Sequence, residues 1–432
     1  MCRLVFVLCL VSFACFGQNY TPIDTNDHAQ RAMFKKQFKT SNMVFIEDVK
    51  KGYKGDILKE VSQNIQEFTE AFSKEIHEGQ FCFDLRFLSK ANEILNELKS
   101  KNPIIPATTQ ILISKNPSLN AYCLPDGTFV LNMGLFYYLQ NENQLAGIIC
   151  HEIGHKLLQH SLKTQIKHLE EKHSREHKKT IEALKKQKFN RTEAAFALFK
   201  SKLYYKSEQN KQHEYEADSI GYLLLRNSKF EKIEYIQTLK LMEEYDTLKP
   251  RSVSKEIYKK AFDLPNQKFK EEWLKKEDFS SYDYSQYQEK LHLDSISTHP
   301  ETDLRIKKLQ TLFKDLNTNQ KSVVQPTTEF KILQNVAEHE QVPNMYFSED
   351  YGAAIYMCLY RIEQQKNVPY YKKWLGKCFA KIYDARKGYK LNRYLDRIEP
   401  KEHSESYQQF LSFMWNLKLE EIKNIRDHYL SI

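Results

Sequence analysis

Apolar residues recur at intervals of three and four along most of the chain, and only around 110–131 does the pattern turn strand-like. Between 61 and 99 the helical interval is carried by Leu85, Leu88, Ala91, Ile94, Leu95 and Leu98, which share one helix face and predict helices packing on a sheet. Asn102-Pro103 closes that stretch, because proline biases the residue before it away from helix. Strand-like runs follow at 110–113, 120–122 and 128–131, the last two separated by Pro125-Asp126-Gly127. They predict a small sheet ending in a hairpin.

A helix is predicted to begin near Asn141, whose side chain can cap the backbone N–H of Gln144 in a capping-box arrangement. It carries Leu145, Ile148, Ile149, Ile153 and Leu157 toward a core. Residues 163–188 predict a highly charged helical arm. His173 and His177 lie four apart within it, but Lys172, Arg175, Lys178 and Lys179 surround them with positive charge that opposes a cation, so a solvated arm is expected there. Another helix spans about 209–226. The polar run from Leu316 reads as a linker, set at 316–340. Beyond it 350–364, 370–386 and 404–428 predict three Tyr-rich amphipathic helices with no clean repeat period, although a solenoid-like pairing is compatible with them.

The 432 residues include 41% hydrophobic and 28% charged positions with 12 Gly and 12 Pro, which fits a globular, helix-rich protein with one large and one smaller core. The formal charge of +9 is 65 basic against 56 acidic residues, scattered through Lys-rich helices. No basic stripe with interleaved aromatics points to nucleic acid, and membrane contact is expected to be peripheral at most. Arg3 precedes the apolar run from Leu4 to Val11 and small residues up to Gly17, which predicts a signal peptide over 1–17 and therefore export. Lipid anchoring through Cys15 and an uncleaved anchor are alternatives. Residues 18–42 are expected to form a loose lead-in. No later window offers the ~18 apolar residues of a spanning helix. Past the signal stand Cys82, Cys123, Cys150, Cys358 and Cys378; they lack zinc-ribbon spacing, and Cys358 with Cys378 is the pair to test for a disulfide.

The strongest chemical signal is His151-Glu152-Ile153-Gly154-His155. Two histidines four apart on a helix direct imidazole nitrogens at one ion, and zinc suits them. Glu152, beside them, can take a proton from a water that the cation acidifies. A catalytic zinc needs a third protein ligand, and Glu214-Tyr215-Glu216-Ala217-Asp218 supplies candidates. Glu214 and Asp218 share a face, so one can bind metal while the other accepts the outer N–H of a ligand histidine. Glu216 reads as solvated surface, and Cys150 and His160 read as structural.

These residues, with Asn120-Ala121-Tyr122, Pro125, Gly127, Gly134-Leu135, Thr298-His299-Pro300 and Arg305, closely resemble family forty-eight of the metallopeptidases. That family includes the CAAX prenyl proteases, HtpX, the Oma-type proteases and the soluble periplasmic BepA type, and this chain looks most like the last. The resemblance covers about 104–312. It implies one zinc ion on His151, His155 and Glu214, Glu152 as general base, and Asp218 orienting a ligand histidine. It also implies that His299 either steadies the oxyanion or occupies the open zinc position to hold the enzyme latent. One departure is Asn210-Lys211, where the family often has Ser-Arg. The strand of Asn120, Ala121 and Tyr122 can pair with an extended substrate backbone.

The expected architecture is α+β and predominantly helical. A zincin-like (gluzincin) peptidase domain with a small sheet spans 43–315, and an all-α domain at 341–432, compatible with helical repeats, binds partners or substrates. The expected activity is zinc-dependent endopeptidase action on polypeptides in envelope protein quality control, in the periplasm or after secretion. The rivals are a weakly catalytic chaperone-like binding protein and a zinc hydrolase of cell-wall peptides.

Overall fold

The computed structural model describes residue 20 and residues 22–186, 191–246, 249–276, 301–317, 324–400 and 403–431. It is mostly helical, with one mixed four-stranded sheet of order β1-β2-β4-β3, from β1 (Phe81–Cys82), β2 (Gln110–Ser114), β3 (Ala121–Cys123) and β4 (Thr128–Asn132). β2 and β4 run parallel while β1 and β3 pair antiparallel at the two edges. Gly127, at φ +93, turns the chain between β3 and β4 in the left-handed conformation that glycine adopts at no steric cost.

Both faces of the sheet are covered, so β4 is buried at every position. Ile111, Ile113, Phe129 and Leu131 face α3 (Leu85–Lys101) and α5 (Glu142–Leu157), within the largest core. Leu112 and Val130 face Phe34, Phe38, Phe72 and Ile76 of α1 (His28–Gly52) and α2 (Gly55–Glu78). The expected loose lead-in is therefore helix from His28 onward. Its buried residues Phe34, Phe38, Asn42, Ile46 and Val49 lie three or four apart among lysines, an apolar stripe narrow enough to be masked by its polar surroundings.

A short α4 (Met133–Tyr138) leads into α5, which starts as the cap predicts: Asn141 accepts hydrogen bonds from Asn143 and Gln144 N–H groups. The charged arm is two helices, α6 (His160–His173) and α7 (Arg175–Lys186), and His173 lies 2.7 Å from Glu60 of α2 rather than being wholly solvated. α8 (Arg191–Arg226) and α9 (Ile233–Asp246) complete the packing around α5.

A second core gathers α10 (Lys255–Phe262) and Trp273 with the helices that follow α11 (Thr302–Leu312). These are α12 (Thr328–Phe347), α13 (Tyr351–Glu363), α14 (Val368–Lys387), α15 (Glu405–Asn416) and α16 (Leu419–Leu430). The expected linker is helical from Thr328, because α12 serves both cores: Phe330, Leu333, Val336 and Ala337 lie in the first, Val342 in the second. The helix expected over 404–428 is two. Buried Leu417 is extended between them, and Glu421 accepts the Lys418 N–H to start α16. Cys358 and Cys378 are both buried free thiols, so the pair named for a disulfide test is not bonded. Among the described residues no helix is long and apolar enough to cross a membrane.

Candidate metal centre

α5 and the C-terminal half of α8 cross at glycines. A Cβ on Gly154 would stand 2.6 Å from the Ala217 carbonyl oxygen, and one on Gly221 would stand 3.0 Å from both the Cys150 carbonyl oxygen and the His151 Cα. This backbone-to-backbone approach brings His151 and His155 of α5 to Glu214 of α8. The His151 Nε2 and His155 Nε2 are 3.0 Å apart. His151 Nε2 lies 3.5 Å from one Glu214 oxygen, and His155 Nε2 lies 3.3 Å from the other. Among the described residues this is the group that offers three ligand atoms to one ion.

The separations fit a metal. A tetrahedral ion with bonds of about 2.0–2.1 Å holds neighbouring ligand atoms about 3.3 Å apart, close to the 3.0–3.5 Å found here. His151 Nδ1 lies 3.0 Å from Asp218, an acceptor, which leaves the inner Nε2 lone pair free to face the ion. Asp218 is itself gripped by Arg305, whose Nε and Nη2 each donate at 2.7 Å. Burial pushes the Asp218 carboxyl up, but Arg305 and His151 outweigh it and hold it below the usual carboxylate range. Burial likewise pushes the His151 imidazolium down, while Asp218 and Glu214 more than compensate and raise it to about 10. Two buried carboxylates, Glu214 and Asp218, face one buried guanidinium; without an ion the His151 imidazolium balances the second charge, and a divalent ion would take over that role as it displaces the His151 proton.

Two residues behave otherwise than the sequence suggested. His160 is buried, its Nδ1 lies 2.9 Å from the His155 Nδ1, and its Nε2 lies 3.0 Å from Glu216. Its ring stacks on His213 at 4.1 Å. Glu216 therefore carries a hydrogen-bonding task instead of being plain solvated surface, and His160 touches the site. Arg305 gave a signal only as part of a family pattern. Cys150 is buried as expected. Thr298, His299 and Pro300 lie outside the described residues.

β3 is an edge of the sheet and lies against α5. Asn120 precedes the strand, yet its carbonyl accepts the Asn132 N–H. The pairing of Asn120 with Asn132 and of Leu124 with Thr128 directs the intervening Ala121 and Cys123 backbone groups away from β4. The Asn120 side chain accepts the Ala121 N–H at 2.9 Å, and Tyr122 is exposed. Glu152 and Ala121 line one small cleft. A larger one of about 660 Å³ runs past Asn120, Tyr215, Glu301 and Arg305.

A helix bearing two imidazoles, a carboxylate from a second helix and an edge strand alongside define a metallopeptidase. Residues 89–312 match the family described as Peptidase family M48, and the chain belongs to that family. It is also 35% identical over 51 residues to the mitochondrial metalloendopeptidase OMA1 of Arabidopsis thaliana. That stretch covers 12% of this chain and 10% of the relative, so the chain matches about a tenth of that protein's length.

Proposed function

We propose that the chain is a zinc-dependent metalloendopeptidase that is exported through the segment 1–17 and cleaves misfolded or misassembled proteins in the periplasm. The observation that carries the reading is the convergence of His151 Nε2, His155 Nε2 and the Glu214 carboxylate at mutual distances of 3.0–3.5 Å. These three are the proposed zinc ligands. When bound, zinc supplies Lewis acidity that acidifies a water molecule and polarises a carbonyl oxygen. Glu152 takes the proton from the attacking water and returns it to the leaving amine. Asp218 fixes His151, and the outward Ala121 carbonyl and Cys123 backbone groups hold an extended substrate chain by strand addition. An endopeptidase reading is supported by the 660 Å³ cleft continuing past Arg305 and Tyr215, room for residues on either side of a scissile bond. His299 is proposed to aid or gate the same centre, and the second core to present substrates or partner proteins.

The test is Glu152→Gln. It should retain one zinc per chain while hydrolysing unfolded casein at least about a hundredfold more slowly. Equal cleavage by the two proteins would remove Glu152 from its role. Zinc binding with no Glu152-dependent proteolysis would favour a binding protein, and release of peptides from purified cell wall alone would move the activity to that substrate.

A further inference from the structure

His160 lies five residues after His155, a spacing that puts two side chains about 140° apart around a continuous helix and out of reach of each other. The chain bridges that gap by breaking. Gln159 adopts the left-handed conformation, φ 56 and ψ 34, between α5 and α6, and swings His160 back to 2.9 Å from the His155 Nδ1. A non-glycine residue is disfavoured in that region, so the contact is held against a local penalty.

The hydrogen-bond roles in this contact follow from its far end. Glu216 as a carboxylate only accepts. The His160 Nε2 at 3.0 Å must therefore carry the proton, and the His160 Nδ1 of a neutral ring is an acceptor. Facing it at 2.9 Å, the His155 Nδ1 must be the donor, and the His155 Nε2 is left with a bare lone pair. That nitrogen is the one that meets His151 and Glu214. His160 cannot itself join the ligand set in this arrangement, because it contacts the outer nitrogen of His155. Gln212 donates to the other Glu216 oxygen at 2.8 Å, and the His213 ring backs His160, so both members of the chain are fixed in orientation.

We propose that His160 and Glu216 are positioning residues: a carboxylate–imidazole chain that sets the tautomer and ring orientation of His155, as Asp218 does for His151. The inference rests on the zinc-ligand reading above, and extends it to residues that touch neither metal nor substrate. The two ligand histidines are then served differently. His151 has a buried carboxylate clamped by Arg305, whereas His155 has a neutral ring backed by a partly exposed carboxylate.

Three variants of the full chain test this: His160→Phe keeps a ring against His213 but offers no acceptor, His160→Asn keeps an acceptor, and Glu216→Leu frees His160 to turn its proton toward His155. Zinc affinity by chelator competition is expected to fall about 10–100-fold in His160→Phe and Glu216→Leu and to stay within a few-fold of the parent in His160→Asn. In the metal-free protein, two-bond ¹H–¹⁵N spectra of the histidine rings should show His155 protonated at Nδ1 in the parent, and a shift toward Nε2 protonation in Glu216→Leu. A merely structural role would lower thermal stability without moving that signature. Parent-level affinity together with an unchanged His155 pattern in both His160→Phe and Glu216→Leu would overturn the proposal; if His160→Phe does not fold, Glu216→Leu decides alone. Three imidazoles on the bound ion by X-ray absorption would also overturn it. Absence of zinc binding by the parent chain would instead defeat the function proposed above.

Discussion

Gly154 of α5 and Ala217 of α8 meet with no room for a side chain between them, a methyl group on Gly154 falling 2.6 Å from the Ala217 carbonyl oxygen and 3.0 Å from its Cα. The partner atoms are backbone and cannot rotate aside. Gly154→Ala should force the helices apart, at the 1–3 kcal/mol typical of overpacking. It should also carry Glu214 away from the two imidazoles. The expected result is a melting temperature lower by several degrees and zinc affinity weakened at least about tenfold; parent values for both would refute the close crossing.

Arg305 and Asp218 are both buried and joined by two hydrogen bonds. Removing one member of such a pair strands the other's charge, typically at about 3–5 kcal/mol. Arg305→Met should therefore lower the urea midpoint steeply. Adding Asp218→Asn should recover part of the loss, a coupling visible in a double-mutant cycle. Additive effects would mean that the pair does not act as a unit.

Metal removal should destabilise the first core. A ligand present at a hundredfold over its Kd contributes about 2.7 kcal/mol to the folded state. Chelator treatment should lower the melting temperature and added zinc restore it, while a Glu214→Gln variant responds weakly to both. A chelator-insensitive melting curve in the parent would count against a structural link between ion and fold.

The second core offers a pH prediction. Burial raises the Glu421 carboxyl, but the Lys270 ammonium at 2.6 Å and the Lys418 N–H at 2.8 Å outweigh it and leave it below the usual glutamate range. A depressed folded-state value means that the stabilisation is complete above the unfolded value of about 4.3. It is lost as pH falls through the folded value. Glu421→Gln should be less stable than the parent by about 1 kcal/mol near neutrality, as for other helix caps, and the gap should close in acid; a gap constant from pH 7 to pH 3 would exclude the ionised cap.

Gln159 holds φ 56. A β-branched residue tolerates that region poorly, whereas glycine enters it freely. Gln159→Val should unfold at a lower temperature than the parent and Gln159→Gly should not, so equal losses in both would point to the Gln159 side chain rather than its backbone.

The helix carrying His151 and His155 was legible because three independent signals agree there: the Asn141 cap, the apolar interval from Leu145 to Ile153, and two histidines four apart. β2, β3 and β4 were legible from their short apolar runs and the Gly127 turn. α1 was missed although its buried stripe from Phe34 to Val49 keeps helical spacing, because the first half of that stripe is narrow and set among polar residues. β1 was missed because two residues carry no period. The α15–α16 break carries no Gly or Pro; Leu417 leaves the helix so that two apolar faces can reach one core.

By itself the sequence determined the local chemistry, since the placement of His151 with His155 on one helix face and of Glu214 with Asp218 on another follows from covalent order and helical period. Which groups surround them was decided only by the tertiary structure. Arg305 reaches Asp218 across 87 residues and Glu216 reaches His160 across 56. Such contacts depend on how closely helices pass at Gly154 and Gly221 and on one left-handed residue at Gln159, and neither interval nor composition encodes them along the chain.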